Sequence, residues 1–191
     1  MIKSEMTERL LLLAENDFAV RERLRINNQL SGGYHPDMEA VHRANAAELT
    51  QIINEIGFPG ISKVGKEANE AAWLIAQHDI AEPAFMRSFF ELMTENEWDI
   101  NRKHWAYLYD RLQYFQGKPQ RFGTQLNADG SIYPVIDREQ LNVLRKEYDL
   151  SVISSDDLNR IAKVEEIERI EKENPDYVMW RDGAGWKSIQ Y

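Results

Sequence analysis

From Ser4 to Gln116 the apolar residues recur at the helical period, and glycine or proline cuts each run from the next. That pattern limits the chain to helices packed on helices. The first run, about 4–29, sets Leu10, Leu13, Ala14, Val20 and Leu24 on one stripe, with Asp17 interrupting it. Ser31-Gly32-Gly33 breaks this run, and Pro36 suits the first turn of a second helix, about 36–56. Gly57 closes that helix, since glycine accepts a left-handed conformation at little cost. A third run, about 66–79, carries Ala68, Ala71, Ala72 and Ala76 and is apolar on several sides, which predicts a buried helix. Pro83 opens a fourth helix, and about 100–116 forms a fifth.

The texture changes after Gly117. Two short segments, 120–126 and 131–136, flank Asn127-Ala128-Asp129-Gly130 and predict a β-hairpin leaning on the helices. Asp137 with Gln140 predicts a capped sixth helix to about 148, and an acidic seventh runs over about 156–173. The expected fold is therefore mainly α: a helical bundle or orthogonal array of about seven helices with one small β-hairpin. Residues 1–150 are expected to form one helical domain with the candidate pocket. Residues 151–191 then add an acidic helix and an aromatic tail bearing Trp180 and Trp186.

The formal charge of −9, from 32 acidic and 23 basic residues, argues against a general nucleic-acid backbone binder. No apolar run approaches the roughly 18 residues of a membrane span, and the Leu10–Ala14 run lacks the basic start of a signal peptide. With no cysteine, thiol catalysis and thiolate metal sites are excluded, and a cytoplasmic location is expected. His35, His42, His78 and His104 are scattered without a metal-ligand spacing, so neither a metal site nor a cofactor is expected. Gly57, Gly60 and Gly65 match neither dinucleotide-binding nor P-loop spacing.

The candidate site rests on polar residues set in apolar segments, because burying such groups unpaired costs free energy. His78 ends the apolar third helix, where the helix dipole favours a protonated imidazole; an imidazole is suited to act as base or acid near neutrality. Arg111 can hold an anionic group through two parallel hydrogen bonds, and a structural ion pair is its competing role. Asp110 precedes it at an angle of roughly 100° on the helix. Gln120 and Gln125 carry amides able to read a polar edge. We expect His78 and Arg111 as catalytic residues, with Asn45, Gln77, Asp110, Gln120, Thr124 and Gln125 binding a ligand. Two functions follow as expectations: a small enzyme acting on a polar or anionic small molecule through His78, or a non-catalytic ligand-binding or protein-interaction module.

Read in order, the motifs are Asn45, Gly57-Phe58-Pro59 with Val64-Gly65, Ala71-Ala72-Trp73-Leu74 with Gln77-His78, Ala106-Tyr107-Leu108 with Asp110-Arg111, and Gln120 with Phe122-Gly123-Thr124-Gln125. This series resembles a mostly bacterial domain family of unknown function, over about residues 37–150. His42 stands where the family pattern has an acidic residue, and Phe122 replaces its tyrosine. The resemblance implies a common pocket built from Asn45, His78, Arg111 and Gln125, and it implies no particular activity.

Overall fold

The computed structural model describes residues 2–30 and 33–187. Ser31 and Gly32 of the expected break, and residues 188–191 of the tail, lie outside the described residues. The described chain is mainly helical, with ten α-helices and no strand. It forms two compact units, Met1–Asn101 and Arg102–Tyr191.

In the first unit α1 (Ile2–Ile26) packs against both α2 (Pro36–Ile56) and α4 (Lys66–His78), which also touch each other. The short α3 (Ile61–Val64) abuts α1 and α4, and α5 (Pro83–Glu95) lies on α4. The alanines of α4 explain the close approach: Ala68, Ala71, Ala72 and Ala76 are all buried. The helix ends follow the sequence. His35 caps α2 by accepting the Asp37 N–H, Pro36 occupies the first turn, and Gly57 ends the helix at φ 70°. Leu10, Ala14 and Leu24 of α1 are buried, and Asp17 is buried on the same stripe.

In the second unit α6 (Arg102–Phe115) carries the core, followed by a long loop and α7 (Leu141–Glu147). Phe122 is fully buried among Trp105, Tyr109 and Tyr148. The expected hairpin is not formed. Residues 120–136 hold only two isolated bridges, Gln120 with Val135 and Leu126 with Ile132. The Gln120 side chain explains this. Its Nε2 donates to the carbonyls of Gln125 and Tyr133, and its Oε1 accepts the Gln125 N–H. A side-chain amide thus takes backbone partners that a ladder would use, and Pro134 has no N–H to offer one.

The count of seven helices is also corrected. Two extra pieces come from α3 and from the acidic segment, which divides into α8 (Ser155–Arg160) and α9 (Ile167–Lys172). The third is α10 (Pro175–Gly183) in the expected tail, capped by Asn174. That tail is packed: Trp186 is buried and stacks on Phe115 with ring centroids 4.7 Å apart. Arg181 is buried too, paired with Glu171 at 2.6 Å.

Candidate functional site

The first unit brings four polar side chains from separate elements together. Asp17 comes from the middle of α1, His42 from α2, His78 from the end of α4, and Tyr34 from the segment before α2. Asp17 Oδ2 accepts a hydrogen bond from His78 Nδ1 at 2.9 Å. His42 Nε2 approaches the same oxygen to 3.2 Å, yet its direction misses and no hydrogen bond forms. Tyr34 Oη lies 2.7 Å from His42 Nδ1, and the two imidazole rings are 5.3 Å apart. Asp17 is fully buried, while the His78 side chain keeps 22 % of its surface exposed.

These neighbours set the charge states. Burial alone would raise the Asp17 pKa, but the facing imidazoles of His42 and His78 outweigh it and hold the carboxyl well below its usual range. Tyr34 is pushed up by burial and then by Asp79, so its hydroxyl stays protonated. Asp79 follows His78 in sequence and is fully buried, and among the described residues neither of its oxygens has a hydrogen-bond partner. Burial lifts its pKa to about 6, against the opposing pull of Arg43 and His42.

Asn45 and Gln77 belong to the same unit. Asn45 is buried and donates to the Leu13 carbonyl at 3.0 Å, tying α2 to α1. Gln77 is half-buried in the last turn of α4.

The other expected site residues form a network in the second unit. Asp110 is fully buried in α6 and accepts from the N–H groups of Arg121, Phe122 and Thr124 and from the Thr124 hydroxyl, at 2.7–3.1 Å. Burial raises its pKa to about 6 against those donors. Its carboxyl therefore shapes the 121–124 loop. Gln125 Nε2 donates to Thr124 Oγ1, and Arg111 Nη1 reaches Gln125 Oε1 at 3.5 Å. The Arg111 guanidinium lies over the Phe115 ring, 5.5 Å from its centroid. Asp110, Arg111, Gln120, Thr124 and Gln125 are thus brought together, and Gln120 serves the loop backbone.

The sequence does not single out Tyr34 or Asp79, shows Asp17 only as a break in an apolar stripe, and places His42 on α2 where, with Asn45, it is expected to reach the cleft of His78. One signal was present: Asp17 interrupts the stripe of α1, and an acid there needs a buried partner. Scattered histidines also suggested no ligand cluster, whereas the fold sets His42 and His78 on one carboxylate.

A family profile described as a family of unknown function, DUF6624, matches residues 4–154. The chain belongs to that family. The DUF6624 span covers the whole first unit apart from its first three residues, including Asp17, His42 and His78. It ends before α8, so α9, α10 and the Trp186 contact lie beyond the DUF6624 match. No curated protein and no solved structure matches the chain. Among the described residues no helix is long and apolar enough to cross a membrane.

Proposed function

We propose that the chain is a small enzyme whose reactive centre is the Asp17–His42–His78 cluster, with His78 moving a proton on a polar or anionic small molecule. The single observation that carries this reading is the 2.9 Å hydrogen bond from His78 Nδ1 to the buried Asp17 carboxylate. A carboxylate behind one ring nitrogen fixes the tautomer, orients the ring and stabilises the imidazolium that forms when Nε2 takes a proton. The partial exposure of His78 supports access from solvent. The absence of cysteine and the acidic balance support a cytoplasmic setting and a partner other than nucleic acid.

The test is a turnover screen of the purified chain on small phosphate, carboxylate, ester and amide substrates, repeated with His78→Ala and Asp17→Asn. Loss of turnover by at least about 100-fold in His78→Ala, with the fold retained, is the expected result. Turnover unchanged by His78→Ala would overturn the reading.

A second reading, a non-catalytic binding module, is favoured by a different observation. The second unit holds a cleft of roughly 850 Å³ lined by residues that include Tyr114, Tyr133, Arg138, Arg169 and Tyr177. Its lining also includes Glu166, Glu171 and Glu173, so the cleft suits a polar ligand of mixed charge. A ligand that raises the melting temperature without being turned over would support this reading.

A further inference from the structure

We propose that Asp17, His42 and His78 hold a divalent transition-metal ion. This rests on reading the cluster as the reactive centre, and it names what that centre works with.

The spacing comes first. Asp17 Oδ2 lies 2.9 Å from His78 Nδ1 and 3.2 Å from His42 Nε2, and one ligand atom from each residue falls within 4.8 Å of the others. Ligand atoms at about 2.0–2.2 Å from a shared ion stand roughly 3 Å from one another. The separations observed are those of neighbours on one coordination sphere.

The second observation is unsatisfied polarity. Among the described residues neither His42 Nε2 nor Asp17 Oδ1 has a hydrogen-bond partner, and both residues are more than nine-tenths buried. Leaving such groups unpaired costs about 1–3 kcal/mol each, so a natural chain rarely keeps two side by side. The His42 nitrogen lies 3.2 Å from Asp17 Oδ2 without meeting hydrogen-bond geometry. Tyr34 Oη on His42 Nδ1 supplies the outer contact that fixes a ligating imidazole.

Charge is the third. Asp17 buries a carboxylate against two imidazoles, and its side chain has no exposed surface. A dication offsets that charge. It also supplies the positive field that an anionic substrate needs beside the carboxylate.

Two imidazoles and one carboxylate suit zinc, iron, nickel or cobalt rather than magnesium or calcium, which prefer all-oxygen shells. Three protein ligands leave a position open for water or substrate. Asp17, His42 and His78 would hold such an ion, which would supply Lewis acidity at its open position; without it, His78 keeps the proton-transfer role.

The experiment strips the full-length chain with a chelator and titrates it separately with Zn²⁺, Co²⁺, Fe²⁺ and Mg²⁺. Stoichiometry is read by elemental analysis, affinity by calorimetry. We expect one equivalent of Zn²⁺ or Co²⁺, weak Mg²⁺ binding, and a higher melting temperature when loaded. Asp17→Asn and His42→Gln should each weaken Zn²⁺ affinity by at least about 30-fold, while His35→Gln should leave it unchanged. If those variants fail to fold, X-ray absorption of the Co²⁺-loaded unaltered chain should show two imidazoles per ion. No stoichiometric binding of any of the ions, or an ion without imidazole ligands, overturns the proposal. A bound ion in a chain with no turnover sustains the metal site and sinks the enzyme reading. Turnover by a chelated chain that binds no ion does the reverse.

Discussion

Asp17 Oδ2 lies 2.9 Å from His78 Nδ1, across 61 positions of sequence, in a place where the carboxylate has no exposed surface. The contact joins the middle of α1 to the last residue of α4. It is therefore both a tie between two helices and the feature that gives His78 a defined orientation.

Asp17→Ala should cost about 3 kcal/mol, because removing one member of a buried pair leaves its partners facing an apolar gap. Urea unfolding of the metal-free chain measures it. A loss under about 1 kcal/mol would show that the buried contact contributes little to stability.

Asp110→Ala should cost about 3 kcal/mol or more, since three backbone N–H groups lose one acceptor together. Amide hydrogen exchange should speed up at Arg121, Phe122 and Thr124 before it does elsewhere in α6. Unchanged exchange at those amides would remove Asp110 as the organiser of the loop.

Gly60 is set by space rather than by backbone conformation. A Cβ there would overlap Asp99 Oδ2, which accepts from the Ser62 hydroxyl, while Oδ1 accepts its N–H. Gly60→Ala should displace Asp99 and cost about 1–2 kcal/mol. In an Asp99→Ala background the same change should cost much less. Additive costs in the double-mutant cycle would contradict the clash.

Glu171 gives the second unit an acid-sensitive joint. Burial raises its pKa, but Arg181 and Lys187 outweigh burial and hold it below its usual value of 4.5. A carboxyl depressed in the folded state binds its proton more tightly when unfolded. Its stabilisation is therefore full above about 4.5 and disappears as pH falls through the lower folded value. Glu171→Gln should remove this part of the acid limb and cost about 3 kcal/mol at pH 7, because Arg181 stays buried with Asp182 as its remaining carboxylate. Melting curves from pH 7 to 3 for both proteins check it; parallel curves would refute the assignment.

Most of the helices were legible because each follows from local signals. Pro36 and Gly57 bracket α2, and the alanine set of α4 announces a buried helix. Locally encoded elements need no knowledge of the rest of the chain. The 120–136 segment was misread for the opposite reason. Its glycine turn is genuine, but Gln120 diverts the backbone groups that a hairpin would pair, and that competition is non-local. The acidic run at 156–173 hid a break as well, since charge alone does not show where a helix stops.

The site divides along the same line. Sequence established which residues were out of place: Asp17 in an apolar stripe, His78 at the end of an alanine-rich helix, Asp110 and Arg111 inside α6. Such misfits are visible in one dimension because burying an unpaired polar group is costly wherever it occurs. Partnership is not visible there. Only the packing of α1 against α2 and α4 decided that Asp17 faces His42 and His78, and only the path of the 121–124 loop made Asp110 a backbone acceptor. Hydrogen bonds and coordination act over about 3 Å, and the chain brings residues to that distance through packing, whatever their separation in sequence.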